Sequence, residues 1–144
     1  MFALSVAIDV NPPGAQPVLT QDDVWRALVM KAENALPFVP AMQRCEVLER
    51  TPDGLVREVV VRGERFIERI TFTPKIQVLF ERRDDAGKPA GWITNVISES
   101  EHGLALTFSF AVTGDASQMK DSYVSAVKAT LAATRRLVLE GTPS

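Results

Sequence analysis

The sequence predicts an α+β fold in which a curved, seven-stranded antiparallel sheet wraps around a long C-terminal helix. Two observations carry this. One strand and one or two short helices precede an unbroken run of six strands, whereas a doubly wound α/β fold alternates strands with helices throughout. The connections within that run are short, which makes neighbouring strands antiparallel. A third observation adds the grip. The last two dozen residues form the only element long enough to cover the sheet, and seven strands are too many to stay flat.

The elements follow in chain order. Phe2, Leu4, Val6, Ile8 and Val10 alternate strictly with Ala3, Ser5, Ala7 and Asp9, the period of a half-buried strand. Asn11-Pro12-Pro13-Gly14 breaks it, and Thr20 with Asp23 makes a capping-box-like helix start in which Asp replaces the usual Glu. Val24, Trp25, Leu28, Val29 and Ala32 then recur at helical spacing over about a dozen residues. Pro37 and Pro40 stop this helix and permit at most one short further turn through Ala41, Met42 and Gln43. Strands are expected at 45–49, 55–62, 65–73, 76–82, 92–99 and 104–112, separated by turn clusters such as Thr51-Pro52-Asp53-Gly54 and Asp84-Asp85-Ala86-Gly87. From Ser117, a plausible N-cap, to Glu140 the pattern is helical, with Gly141 and Pro143 beyond its end. Val124, Val127, Leu131, Thr134 and Val138, widened by Tyr123, Ala126, Thr130, Ala133 and Leu137, give this helix one broad buried face. No repeat or linker divides residues 1–144, so one domain is expected.

Composition excludes several functions. Among 144 residues, 16 Lys and Arg nearly balance 18 Asp and Glu, and no basic stripe forms, so nucleic acid is not an expected partner. One Cys and one His cannot build a zinc site. No metal or other cofactor is expected. No apolar run reaches the ~18 residues of a membrane span, and the apolar start lacks a basic flank, so a cytoplasmic location is expected. A homo-oligomer remains compatible with these features.

The segments VWRALVMKAENALPFVPAMQRCEVLER, LVREVVVRGERFIERITF and WITNVISESEHGLALTFSF, in this order of elements, resemble the AtaL-like family of the START/Bet v 1-like (SRPBCC, helix-grip) superfamily. The resemblance spans about residues 3–139. It implies a deep cavity between sheet and C-terminal helix that holds a hydrophobic small molecule, lipid- or polyketide-like. Relatives include polyketide cyclases, lipid carriers, hormone receptors and ring-hydroxylating oxygenase domains; the last need an iron site that a chain with one His cannot supply. A cystatin-like cone is the rival fold, and there no long helix closes the chain.

Parity identifies the residues facing such a cavity. With a two-residue turn at Gly63-Glu64, Val61 faces Phe66, Val59 faces Glu68, Arg57 faces Ile70 and Leu55 faces Phe72. A three-residue loop at Pro74 then pairs Phe72 with Ile76, Ile70 with Val78 and Glu68 with Phe80. All three strands agree on one apolar face, interrupted by Arg57 and Glu68 on the diagonal. Charges on an apolar inner face need partners, so an Arg57–Glu68 pair is expected. It either orients a ligand and supplies acid/base chemistry, or serves as a structural salt bridge; a register slip would put both in water.

Leu104, Leu106, Phe108 and Phe110 share the inner face of their strand. For 92–99, parity leaves Ile93/Asn95/Ile97 and Trp92/Thr94/Val96 equally placed. The candidate cavity residues are therefore Arg57, Val59, Glu68, Ile70, Phe80, Asn95, Leu106, Phe108, Tyr123 and Val127, with Arg57, Glu68, Asn95 and Tyr123 as polar anchors. The expected function is binding of a hydrophobic or aromatic small molecule. The alternative is a cyclase- or aromatase-type enzyme with Glu68 as base and Arg57 as enolate stabiliser. Trp25 reads as core, Met42 and Met119 as gap fillers, and His102 as a solvent-exposed turn residue. Cys45 has no neighbouring base or basic cluster to activate it, and Arg82-Arg83 and Arg135-Arg136 read as solvated element ends.

Overall fold

The computed structural model describes residues 2–113 and 120–141. Strand β1 (Phe2–Asp9) leads through a loop to helix α1 (Gln21–Glu33). Six strands follow: β2 (Met42–Thr51), β3 (Gly54–Val61), β4 (Glu64–Thr73), β5 (Gln77–Arg83), β6 (Pro89–Ser100) and β7 (Gly103–Val112). Helix α2 (Lys120–Leu139) closes the fold. The strands form one curved antiparallel sheet in the order β1-β7-β6-β5-β4-β3-β2, so the first strand crosses to pair with the last. This is the helix-grip arrangement. The expected N-cap Ser117, and Met119, lie outside the described residues.

Local chemistry explains the elements. Thr20 Oγ1 accepts from Asp23 N at 3.1 Å while Thr20 N donates to Asp23 Oδ2 at 2.8 Å, a complete capping box. Such caps stabilise a helix start by about 1 kcal/mol. No helical turn forms through Ala41, Met42 and Gln43: Met42 and Gln43 already belong to β2, where ladder hydrogen bonds to β3 replace those a turn would make. That places Cys45 within β2.

The β3–β4 turn is at Arg62-Gly63, where both residues have positive φ, 50° and 80°, as a two-residue turn matched to strand twist requires. The pairing therefore slides by two residues from the expected one. Arg57 lies directly opposite Glu68, Val59 opposite Phe66 and Leu55 opposite Ile70. A three-residue loop, 74–76, joins β4 to β5 and carries Ile76 out of the sheet, and the pairing again slides by two. Glu68 thus faces Arg82, and Phe80 faces Ile70. A shift of two preserves parity, so the inner face keeps its expected residues while their partners change.

The concave face supplies Leu55, Ile70, Val78, Phe80, Ile97, Leu106, Phe108 and Phe110 to one core with Val24, Leu28 and Ala32 of α1 and Val127 and Leu131 of α2. On β6 it is Ile93, Asn95 and Ile97 that turn inward, while Trp92 is exposed. Trp25 packs edge-on against Phe72 at 5.9 Å, within this core. A bulge at Arg82/Arg83 opposite Gly91 bends the far end of β5–β6. Gly91 has φ 127°, and a Cβ there would lie 2.1 Å from the Ala111 carbonyl oxygen.

Candidate functional site

One end of the concave face stays open. A cavity of about 100 Å³ lies between β3–β7 and the first turns of α2. Its walls are mostly apolar, with Phe80, Ile93, Phe108 and Phe110 from the sheet, Tyr123 and Ala126 from α2, and Met42 at the entrance to β2. Tyr123 stacks on Phe110 with ring centres 4.3 Å apart. Exposed Arg62 and Ser122 mark the mouth, and buried Lys31, Arg57 and Glu68 line the interior.

Of the ten sequence-derived residues, Arg57, Glu68, Phe80, Phe108 and Tyr123 line this cavity. Val59, Ile70, Asn95, Leu106 and Val127 are fully buried yet stand outside its lining. The reason is packing. Ile70, Leu106 and Val127 join the core that α1 builds against the sheet, and Val59 is covered by Ala35 and Met42. Alternation shows which face is inner, whereas the seating of α1 decides which part of that face remains open.

The charged cluster has a definite wiring. Glu68, fully buried, accepts at Oε1 from Arg57 Nε at 2.9 Å and Nη2 at 2.8 Å, and at Oε2 from Arg82 Nε at 2.9 Å and Nη2 at 2.7 Å. Burial pushes its carboxyl up, but attraction to Arg57 and Arg82 with their hydrogen bonds outweighs this and holds it well below the usual carboxylate range, at about 2. Arg57 Nη1 also donates to the Lys31 and Ala32 carbonyls, each at 2.9 Å, and so caps the C-terminus of α1 with a positive charge. Both guanidinium groups lie over rings, Arg57 over Phe80 at 5.3 Å and Arg82 over Phe66 at 4.5 Å. The pair is therefore a buried salt bridge extended into a triad.

This corrects the reading of Arg82 as a solvated strand end, since its side chain is only 14% exposed. Arg135 is likewise no free end: it donates to the Val10 carbonyl and to Asn11 Oδ1, tying α2 to the end of β1. His102 is exposed in the β6–β7 turn. Cys45 Sγ accepts from Ala35 N at 3.5 Å.

The residue that sequence reasoning missed is Lys31. It is 5% exposed, and its Nζ donates to Asn95 Oδ1 at 2.7 Å while lying 4.8 Å from the Phe80 ring centre and 4.7 Å from that of Phe108. Burial and then the Arg57 charge push its pKa down to about 7, against smaller opposing effects of Glu68 and Cys45. Its spacing was the available signal, because Val24, Leu28 and Lys31 share one helical face. The Asn95 Nδ2 group is buried without a hydrogen-bond partner. Among the described residues no three His, Cys, Asp or Glu side chains converge as metal ligands.

A family model described as acetylaranotin biosynthesis cluster protein L, AtaL, matches residues 4–141. The chain belongs to the AtaL family. No curated protein matches it. Solved structures share the fold of this AtaL-family chain at low identity. The di-domain ARO/CYC StfQ from the steffimycin biosynthetic pathway is 10% identical with a TM-score of 0.67, over 96% of this chain and 51% of StfQ. Protein CV1439 from Chromobacterium violaceum is 19% identical with a TM-score of 0.61, over 92% and 96% of the two chains. Ara h 8.0201 is 14% identical with a TM-score of 0.58, over 96% and 98%. At these identities the likeness concerns the AtaL chain's fold and leaves its chemistry to the cavity.

Proposed function

We propose that this chain encloses a hydrophobic or aromatic small molecule, or one end of a longer one, in the cavity between the curved sheet and α2. The observation that carries the reading is a pocket walled by Phe80, Phe108, Phe110 and Tyr123 whose polar groups are concentrated at its buried end. Apolar walls with a few convergent polar groups are the usual makeup of a small-molecule site. A volume of about 100 Å³ is below the ~150 Å³ apolar cavity known to admit benzene, so the enclosed part suits a small group or one end of a longer guest. A longer guest would extend past Arg62 and Ser122. The family's description and the pathway named for StfQ support a guest from small-molecule biosynthesis.

A cyclase- or aromatase-type reaction is the second reading, favoured by the likeness to StfQ. The triad argues against Glu68 as its base, because a carboxylate held near 2 by two guanidinium groups is a poor proton acceptor near neutral pH. Arg57 is equally committed, to Glu68 and to the end of α1.

The test is mass spectrometry of the native protein and of what leaves it on denaturation, with a panel of apolar fluorescent dyes. A released molecule, or dye binding that weakens at least about tenfold in Ala126→Phe at unchanged melting temperature, is expected. Dyes that bind Ala126→Phe as tightly as the unaltered chain, or no binding to either, would overturn the reading.

A further inference from the structure

Lys31 is an unusual lysine. Among the described residues no carboxylate lies within ion-pair distance of it, and its hydrogen-bond partner is the neutral amide of Asn95. The nearby carboxylate, Glu68, is occupied at both oxygens by arginines. Two aromatic faces flank the amine at under 5 Å, and the side chain borders a cavity that reaches the surface. The triad requires no amine at this place, and in the core the amine serves Asn95 Oδ1 alone; an apolar side chain would cover Phe80 and Phe108 as well. A desolvated lysine amine beside another cation is the environment in which such groups act as nucleophiles.

We propose that Lys31 is a nucleophilic amine that condenses with the carbonyl group of an aldehyde or ketone admitted to the cavity, forming an imine. The proposal rests on the cavity reading above and names the substrate class. The Nζ lone pair attacks the carbonyl carbon, and the C=O π electrons move to oxygen, which takes one of the two protons of the attacking nitrogen. The resulting carbinolamine loses water after a proton passes from nitrogen to the hydroxyl. Amine and carbonyl thus give imine and water, with no oxidant or reductant. Asn95 Oδ1, accepting from Nζ, is placed to orient the lone pair.

Charge supports the step. The groups around Lys31 are Arg57 from β3, Glu68 from β4, Arg82 behind Glu68 from β5, Cys45 from β2 and Tyr123 on the α2 wall. With Glu68 offset by two arginines, a protonated Lys31 adds an uncompensated charge, whereas a neutral amine or imine does not. With a pKa of about 7, roughly half the Lys31 amine is neutral at pH 7, against on the order of 0.04% for an exposed lysine.

The test is incubation of the full chain with acetaldehyde and, separately, benzaldehyde in the presence of cyanoborohydride at pH 7, followed by peptide mapping. The expected result is a reduced adduct at Lys31, formed about 100-fold faster than at exposed Lys75, Lys88, Lys120 or Lys128, distinguished by mapping from any adduct on the α-amino group, and absent in Lys31→Met. Labelling across pH on the unaltered chain, which needs no variant, should reach half its plateau near pH 7. Adducts on the exposed lysines with Lys31 unmodified, for both aldehydes, would overturn the proposal. In that case dye binding separates the two readings: dyes that still bind leave the cavity function standing, and dyes that fail remove both.

Discussion

Replacing Glu68 with Gln keeps the shape of the side chain and removes its charge. The consequence follows from the wiring of the triad. Four N–H···O contacts of 2.7–2.9 Å converge on this carboxylate, which is fully buried, and the amide leaves Arg57 and Arg82 facing each other across a neutral group. Removing one partner of a buried ion pair costs about 3–5 kcal/mol. The lowered pKa of Glu68 gives a second figure. A carboxyl held at about 2 in the folded chain and near its ordinary value when unfolded contributes about 3 kcal/mol. Its folded pKa is depressed, so this stability is present above about pH 4.5 and is lost as pH falls toward 2. Thermal unfolding followed by circular dichroism should therefore show Glu68→Gln melting about 10 °C lower at pH 7, from the usual melting shift per kcal/mol in a domain of this size. Its melting temperature should also fall less steeply than that of the unaltered chain between pH 4.5 and 2. A variant within 2 °C of the parent at pH 7, or one with the same acid dependence, would refute the reasoning.

Lys31 has the opposite sign. Its folded pKa lies below its unfolded one, so the penalty is complete below pH 7 and fades as pH rises toward 10.5. Lys31→Met should be about 2 kcal/mol more stable than the parent in urea denaturation at pH 6, after allowing for the lost Asn95 contact, and the gap should narrow at pH 10. Gly91→Ala forces a Cβ against the Ala111 carbonyl at positive φ, so it should cost more than about 3 kcal/mol, read from the same denaturation curves. Truncation after Thr113 removes α2 and uncovers Phe108 and Phe110; the shortened chain should lose cooperative unfolding in calorimetry.

Much of the architecture was legible because it rests on periodicity. Alternation from Phe2 to Val10 and from Leu104 to Phe110 marked strands and their inner faces, and parity survived two successive register slips. Partners did not survive them. One turn placed at Gly63-Glu64 and not Arg62-Gly63 was enough to set Arg57 diagonal to Glu68, and the next slip hid Arg82 behind Phe80. Asn95 stayed ambiguous because the facing of its strand depends on the length of the loop around His102, which parity does not set. Lys31 was missed for a different reason, although its spacing places it on the face of Val24 and Leu28. A lysine on an amphipathic helix ordinarily marks the wet side, and here the tertiary seating of α1 against Phe80 and Phe108 overrides that expectation. The same seating filled the part of the interior that Ile70, Leu106 and Val127 were expected to line as a cavity.

Arg57 holds the carbonyl oxygens of both Lys31 and Ala32 while its other nitrogens hold Glu68. The last turn of α1 is thus bolted to the middle of the sheet through the very residue whose amine borders the cavity. In hydrogen exchange, the amides at the end of α1 should open together with β3 and β4, as parts of one cooperative unit. With that wall tied to the sheet by these bonds, accommodation of a larger guest is expected to fall to α2 on the opposite side.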